Sequence, residues 1–423
     1  MDTRIRLSRR LRALGALVAF AIAPAVVAAP GGTVEFHNAY WFDGDGFTSG
    51  SRYVIDGVIT EALPARIDRR EDLGGRWVVP AFAEAHNHNL QNAWGAGRWR
   101  DMYLRDGVFH AAMLCGDAEG NQAVREALAG RDAPRVVFTS CVSSSDGHPL
   151  RMALREYRQA DPDTGPEVVH DRHYVVMDTP ADVAAKWPLV QAARPDLVKA
   201  ILLHSEDPTR RGDPAMYGVN GLEPEVLPVL VERARADGLR VAAHTESAAD
   251  FAVAVGAGVD IIAHLPGYRF WPGKTGGDYR IDDATIAAAA ARGVVVVPTA
   301  SIAELVAGND LEALAAVQAV QADNLARLKA AGVPLAMGSD RFDATSIVEY
   351  DYLLAGGLFD RRELLRMLSV DTPRLLQPDA RVGCLEDGCV ASFVALDADP
   401  LAADDAIHRI GARVLEGRVL EID

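Results

Sequence analysis

The chain has 423 residues, of which 49% are hydrophobic and 24% charged, and its formal net charge is −16 at pH 7. This balance is ordinary for a globular protein and excludes a disordered or low-complexity chain. The negative charge disfavours polyanionic partners, so we expect a small-molecule substrate, no nucleic acid and no anionic membrane surface. A homo-oligomer stays open.

An export signal is predicted at residues 1–28. Five arginines between positions 4 and 12 precede an apolar run over 13–29 that ends in small residues, and cleavage is expected after Ala28. The run is about 17 residues, shorter than the roughly 20 of a membrane span, although an uncleaved anchor is the alternative. We therefore expect a periplasmic or secreted protein without stable membrane association once the signal is removed.

Eight short apolar runs alternate with helical patterns between about Gly75 and Asp340. They do not alternate with polar residues, which is typical of parallel strands buried on both faces. The runs cover 78–83, 107–114, 135–141, 197–203, 239–243, 259–263, 294–298 and 333–337. Eight such units predict an α/β fold, a TIM-like (β/α)8 barrel over residues 76–381, rather than an open doubly wound sheet.

The two ends of the mature chain follow a different pattern. Residues 29–75 and 382–423 contain short alternating runs broken by Gly and Asp, which predict antiparallel strands that join into one small β-sandwich domain. In an oxidising compartment Cys384 and Cys389 are candidates for a short-loop disulfide. Cys115 and Cys141 each end an apolar run, and we expect them to be small buried residues.

Two stretches between barrel strands are candidates for selecting the substrate. Residues 143–172 are rich in Pro and Gly and follow the third predicted strand, on the face where barrel active sites form. Residues 266–278 follow the sixth strand, and there Tyr268 and Trp271 are candidates either to line a pocket or to pack.

Six polar residues fall at or near the ends of predicted strands. Four histidines and one aspartate in such positions are hard to explain by packing, because the carboxyl ends of barrel strands converge in space. The set predicts a metal site formed by His86, His88, Lys199, His244, His264 and Asp340. Imidazole and carboxylate ligands favour zinc, with manganese and cobalt left open.

Lys199 is the most informative member, because it lies within an apolar run where a charged ammonium is costly to bury. One interpretation is a snorkelling or ion-paired lysine. The other is that burial lowers the pKa of the amine, so that the neutral form reacts with CO₂. The resulting carbamate has two oxygens and could bridge two cations.

These motifs resemble the amidohydrolase superfamily. The stretch from Pro80 to His88 is similar to the family's strand that ends in His-X-His. His244, His264 and Asp340 match the His, His and Asp residues that follow later in the family's motifs. The resemblance is closest to the imidazolonepropionase-like branch, which includes prolidase-type dipeptidases with a strand-4 lysine. Glu84 stands where the family has Asp, which leaves the surroundings of the histidine pair open.

The resemblance implies a binuclear mechanism. His86, His88 and Asp340 would hold one metal and His244 and His264 the second, with carbamylated Lys199 as bridge. A metal-bound hydroxide would attack the amide carbonyl, and Asp340 would act as general base and then general acid. His148 is a second catalytic candidate, for the oxyanion or a substrate carboxylate, and a plain loop histidine is its alternative.

We therefore expect a metal-dependent hydrolase that cleaves the amide bond of a dipeptide, an N-acyl amino acid or a cyclic amide. A lactonase or organophosphate-ester hydrolase of the same fold is the first alternative. A mononuclear deaminase fits less well because it would not need Lys199. The alternative from another class is a periplasmic metal- or solute-binding protein without catalysis.

Overall fold

The computed structural model describes residues 32–422, and the predicted export signal at 1–28 lies outside this part of the chain. Within it, no helix has the length and apolar character needed to cross a membrane. The strands are β1 (Thr33–Phe42), β2 (Phe47–Ile55), β3 (Val58–Thr60), β4 (Arg69–Pro80), β5 (Phe82–Asn87), β6 (Val108–Met113), β7 (Arg135–Ser143), β8 (Val175–Val176), β9 (Leu197–Ile201), β10 (Arg240–His244), β11 (Ile261–Ala263), β12 (Val295–Val297), β13 (Phe393–Leu396), β14 (Ile410–Leu415) and β15 (Arg418–Val419).

Helices separate most of the central strands. They are α1 (Ala96–Arg105), α2 (Ala118–Leu128), α3 (Leu150–Ala160), α4 (Pro180–Ala192), α5 (Val226–Ala236), α6 (Ala248–Ala257), α7 (Gly276–Tyr279), α8 (Asp283–Arg292), α9 (Ile302–Ala307), α10 (Leu311–Ala330), α11 (Ile347–Ala355), α12 (Arg361–Arg366) and α13 (Thr372–Leu376). Short 3₁₀ turns cover Pro166–Val168, Pro208–Gly212, Pro214–Met216 and Ala406–His408, and a π-helical turn covers Met367–Asp371.

The central sheet is a parallel barrel in which β5, β6, β7, β9, β10, β11 and β12 are neighbours in chain order, with β8 on β7. Residues 334–337 take the eighth position. Leu335 bridges to Val296 of β12, and the backbone N–H of Ala85 in β5 donates to the carbonyl of Met337 at 2.8 Å. The predicted (β/α)8 architecture is confirmed.

The barrel interior is packed with small apolar side chains rather than open. One buried cluster draws on every barrel strand and on α13, and alanines predominate in it: Ala83, Ala85, Ala112, Leu114, Val137, Leu197, Ala242, Ile261, Ala263, Val297, Ala336 and Leu376. Such filling is what makes a barrel of this size a core instead of a pore. Polar chemistry is thereby left to the carboxyl ends of the strands.

Strands from both ends of the described chain form one additional sheet, in the order β15-β14-β13-β4-β1-β2-β3. All its pairs are antiparallel except β1 with β4. The prediction that both ends contribute antiparallel strands to one additional unit is confirmed, and the strands form one sheet rather than two packed sheets. Strand β4 runs past residue 75, the predicted boundary, and lies at the centre of the sheet.

The first predicted barrel strand, 78–83, was wrong in position. Val78 and Val79 belong to β4 of the small domain and pair with β13, and the barrel strand β5 begins only at Phe82. The end of β4 and the beginning of β5 are buried, so both are apolar in sequence. The residue types therefore do not indicate where the chain passes from one sheet to the other. His86 consequently lies inside β5 and not after it.

The stretch 143–172 is less irregular than its composition suggests. Its centre forms α3, because Leu150 and Leu154 are one turn apart and both buried. The neighbouring helix α4 begins at Pro180, where Thr179 and Asp182 form a capping box.

Cys115 and Cys141 form a disulfide, which corrects the expectation that they are separate buried thiols. The pairing of β6 with β7 places Met113 opposite Phe138, so the two strand ends that carry the cysteines are neighbours. Cys384 and Cys389 form the second disulfide, which the sequence had named as a candidate.

We expect the two disulfides to differ in their effect on stability. Replacing Cys115 and Cys141 by Ser opens a covalent loop whose ends are 26 residues apart in sequence. Replacing Cys384 and Cys389 by Ser opens one whose ends are 5 residues apart. Loop entropy then predicts losses of roughly 3.5 and roughly 2 kcal/mol respectively. Thermal unfolding of the two double variants should therefore give the lower Tm for the Cys115/Cys141 pair. The opposite order would contradict this account.

Candidate active site

Five of the six predicted metal ligands lie at the carboxyl-terminal mouth of the barrel, and Lys199 lies further inside it. His86 is the penultimate residue of β5, and His244 is the last residue of β10. Lys199 lies in the middle of β9, opposite Cys141 on one side and Ala242 on the other. The other three follow their strands directly or within a short turn: His88, His264 and Asp340.

The Asp340 carboxylate is the centre of the group. His88 Nε2 lies 3.1 Å and His86 Nε2 lies 3.6 Å from Asp340 Oδ1, and His264 Nε2 lies 3.9 Å from Oδ2. His86, His264 and Asp340 offer ligand atoms that all lie within 4.8 Å of one another. The His244 ring is 4.5 Å from the His264 ring, which joins the fifth residue to the cluster.

The bonding of these residues fits divalent cations. Both ring nitrogens of His86, Nε2 of His244 and Nζ of Lys199 are buried without a hydrogen-bond partner among the described residues. Buried polar atoms are normally paired, so several orphans facing one space indicate a missing partner. Imidazole and carboxylate donors suit a divalent metal.

Two of the candidate ligands are held in orientation by neighbours. His264 Nδ1 lies 2.7 Å from Thr299 Oγ1, and His88 Nδ1 lies 3.0 Å from Gln91 Oε1. In both rings Nε2 is thereby left to face Asp340, the arrangement by which proteins fix metal-binding histidines.

Burial lowers the pKa of Lys199 to about 7, and the nearby Asp340 carboxylate opposes this only in part. The side chain is 1% exposed. A substantial fraction of the amine is therefore neutral near neutral pH, as the sequence analysis required for reaction with CO₂.

Glu84 joins the histidine strand to the Asp340 turn. Its carboxylate accepts hydrogen bonds from the backbone N–H of His86 at 2.9 Å, and from the backbone N–H and the hydroxyl of Ser339 at 2.9 and 2.6 Å. Burial raises its pKa to about 8. Glu84 therefore fits where the family has Asp, because its hydrogen bonds connect β5 with the turn that follows the eighth barrel position.

Backbone strain is concentrated at the same mouth. His264, Asp340 and Thr299 have positive φ values of 86°, 54° and 46°, which side chains with a Cβ rarely adopt. Strained conformations of this kind persist where surrounding contacts enforce them, and they cluster at functional sites.

Glu246 is a residue that sequence reasoning missed. It lies two residues after His244, and its Oε1 is 3.6 Å from His244 Nε2. Its buried carboxylate accepts hydrogen bonds from Tyr268 Oη at 2.5 Å, from Arg269 Nη2 at 2.8 Å and from Trp271 Nε1. The sequence did not decide whether Tyr268 and Trp271 line a pocket or pack. In the structure both side chains lie over the site, because both donate hydrogen bonds to the carboxylate of Glu246.

His148 lies beside the cluster, with its ring stacked on that of His244 at 5.3 Å. Burial first, and then the neighbouring His244, lower its pKa to about 3, and the charge of Arg269 adds to the effect. The imidazole is therefore neutral at physiological pH and available as a hydrogen-bond donor or acceptor. The structure brings this predicted residue to the mouth; its catalytic role stays a prediction.

Glu349 anchors the turn that carries Thr299. It accepts hydrogen bonds from the backbone N–H groups of Ala300 and Ser301 at 2.7 and 2.8 Å, and burial raises its pKa from 4.5 to about 7. Because the folded carboxyl keeps its proton to higher pH than the unfolded one, its contribution to stability is complete below about pH 4.5 and is lost as the pH rises towards 7.

We expect the free energy of unfolding of the parent protein to fall across this window relative to Glu349→Gln, which cannot ionise. The difference should change by on the order of 1 kcal/mol per pH unit. Urea unfolding of both proteins at several pH values measures it. Parallel pH dependences would show that Glu349 does not titrate in this range.

Comparison with known proteins agrees with the site. A model of the amidohydrolase family matches residues 188–413, more than half of the chain. The chain belongs to the amidohydrolase family. It is accordingly a hydrolytic enzyme acting on C–N bonds, as the sequence predicted, and its family generally binds divalent metals. None of the curated proteins searched matches the chain.

Solved structures share the fold of this amidohydrolase. A Xaa-Pro dipeptidase with bound methionine is 20% identical, with a TM-score of 0.73 over 92% of this chain and 100% of that one. Ochratoxinase of A. niger is 17% identical, with a TM-score of 0.74 over 93% and 96%. Molinate hydrolase is 18% identical, with a TM-score of 0.69 over 93% and 95%. At these identities the likeness establishes the fold alone.

Proposed function

We propose that this amidohydrolase uses two divalent cations, zinc in the first instance, to cleave the amide bond of a dipeptide, an N-acyl amino acid or a cyclic amide. The observation that carries the proposal is the convergence of four histidines, Lys199 and Asp340 at one barrel mouth. Several of their nitrogens are buried and unpaired.

Each predicted ligand has a place in the proposal. His86, His88 and Asp340 would hold one cation, and His244 and His264 the other. A carbamate on Lys199 would supply the anionic ligand that both cations share, which fits the burial of an amine with a lowered pKa at this position. When bound, the cations polarise the amide carbonyl and make water a stronger nucleophile near neutral pH.

The protein's own groups move the proton. Asp340 accepts a proton from the attacking water and delivers it to the leaving nitrogen, so that water adds across the C–N bond to give a carboxylic acid and an amine. His148, neutral and stacked on His244, is placed to steady the oxygen of the carbonyl that is attacked. Glu84 fixes the distance between the histidine strand and Asp340.

The substrate class is supported by the substrates of the structural relatives, as their names give them. A Xaa-Pro dipeptidase and a prolidase complexed with N-methylphosphonate-L-proline are among them, together with ochratoxinase and molinate hydrolase. We also propose that the protein acts after export. Two disulfides in the described chain fit an oxidising compartment such as the periplasm.

The test is turnover by purified mature protein on a panel of dipeptides, N-acyl amino acids, cyclic amides, lactones and phosphotriesters. Hydrolysis of an amide is the expected result. Turnover of lactones or phosphotriesters alone would replace the amide assignment by the alternative hydrolases. Ligand binding without any turnover would favour a metal- or solute-binding protein.

A further inference from the structure

Arg269 projects from the loop after β11 and is held in a fixed orientation. Its Nη2 donates to Glu246 Oε1 at 2.8 Å. The guanidinium carbon lies 4.4 Å from the centre of the Trp271 ring and 5.4 Å from that of Tyr268. Contacts with aromatic rings and one carboxylate immobilise a planar group that is otherwise flexible.

The remaining donors of Arg269 are not used by the described chain. Nε is buried without a partner, and Nη1 makes no hydrogen bond to a described residue. The side chain is nonetheless 36% exposed, and because Nε itself is buried, the unpaired donor that reaches solvent is Nη1. A guanidinium has five N–H donors in a rigid fork, and a carboxylate is the planar anion that matches them.

Other basic side chains of this region do not have the same freedom. Arg210 lies 4.8 Å from the same Trp271 ring, but it is 7% exposed. Lys274 is engaged by Glu206 at 2.7 Å. Arg269 is thus the member of this trio that combines exposure with unused donors.

The position of Arg269 places these donors beside the reacting groups. Its partner Glu246 is 3.6 Å from His244 Nε2, and the ring of the adjacent Tyr268 is 5.3 Å from that of His264. Arg269 is also close enough to His148 for its charge to add to the lowering of that pKa, after burial and His244. The guanidinium therefore borders the β10–β11 side of the barrel mouth.

We propose that Arg269 binds a carboxylate of the substrate and makes the enzyme selective for amides that carry one next to the scissile bond. This inference rests on the proposed amide hydrolysis for its substrate, although binding can be measured without turnover. Glu246 does not compete with the ligand, because it engages Nη2 and leaves Nη1 free. Arg269 is thus a specificity-determining residue.

The test compares L-leucine with L-leucinamide, which differ in the carboxylate, by calorimetric binding to the metal-loaded parent, Arg269→Gln and Arg210→Gln. Glutamine at position 269 can still donate to Glu246, and Arg210→Gln controls for packing on the shared Trp271. We expect Arg269→Gln to weaken L-leucine binding by about 10-fold or more without changing that of L-leucinamide. Arg210→Gln should leave the preference unchanged.

A second readout uses any substrate found in the panel together with its carboxamide-capped form. The ratio of their kcat/KM values should fall about 10-fold or more in Arg269→Gln, and because it is a ratio it cancels partial loss of folded enzyme. The proposal is overturned if the parent does not distinguish L-leucine from L-leucinamide, or if both ligands weaken equally in Arg269→Gln. Failure of amide hydrolysis would instead overturn the proposed function, since the binding measurement does not depend on it.

Discussion

Asp340→Asn is expected to lower kcat by about 10²- to 10⁴-fold, the range that a positioned acid–base group contributes. The carboxylate oxygens of Asp340 lie 3.1 to 3.9 Å from the Nε2 atoms of three histidines, so the side chain is placed both to bind metal and to move the proton. An asparagine amide is not basic enough to accept that proton. Steady-state kinetics on the substrate identified in the panel provides the measurement.

Asp343→Asn is the matched control for this change. Asp343 lies three residues further along the same turn and pairs with Arg341 at 2.9 Å, and its side chain is 64% exposed. This variant should retain the kcat of the parent within a few-fold. If Asp340→Asn also stays within tenfold of the parent at unchanged metal content, Asp340 is not the proton carrier.

Glu246→Ala is expected to cost about 3 kcal/mol of stability, the upper end of the usual effect of leaving hydrogen-bond donors without their buried acceptor. The change leaves the guanidinium of Arg269, the hydroxyl of Tyr268 and the indole N–H of Trp271 without their common acceptor. Burial alone would raise the pKa of Glu246, but the adjacent His244 imidazole and the charge of Arg269 hold it well below its usual range. The lost group is therefore a carboxylate at neutral pH.

Urea unfolding of the metal-free protein measures this loss without a contribution from bound cations. Glu246→Gln should lose less than Glu246→Ala, because an amide keeps one acceptor for the three donors. Glu304→Ala, at an exposed position of α9, is the control and should change stability little. A loss in Glu246→Ala no larger than in Glu304→Ala would show that the loop is held by other contacts.

The barrel and the six candidate ligands could be predicted because their signals are local. Buried parallel strands are continuous apolar runs, and a polar residue at the end of such a run stands out. His244 and His264 illustrate this, since each directly follows small and apolar residues of a strand. Convergence of the ligands then follows from the geometry of any parallel barrel.

The errors arose where the sequence signal was local but the answer depended on pairing. The apolar run from Val78 to Phe82 crosses from one sheet to another at Ala81. Which sheet its first residues join is decided by their pairing with β13, a strand far away in the sequence at Phe393–Leu396. The disulfide of Cys115 with Cys141 likewise depends on the register of β6 against β7. Neither register can be read from one chain alone.

Glu246 and Arg269 were missed for a different reason. A glutamate two residues after a ligand histidine is unremarkable in sequence, and an arginine in a loop is usually solvated. Their importance comes from the path of the loop after β11, which turns three donors towards one carboxylate. Loop paths of this kind are set by tertiary contacts and have no periodic signature.

Metal content per chain tests the central claim most directly, measured by elemental mass spectrometry on the purified mature protein, Lys199→Ala and Lys186→Ala. Lys186 is the control, since it pairs with Asp171 at 2.8 Å and belongs to no metal ligand set. The account predicts about two divalent cations per chain in the parent and in Lys186→Ala, and a clear drop in Lys199→Ala. One cation or fewer in the parent, unchanged in Lys199→Ala, would contradict the carbamate-bridged site.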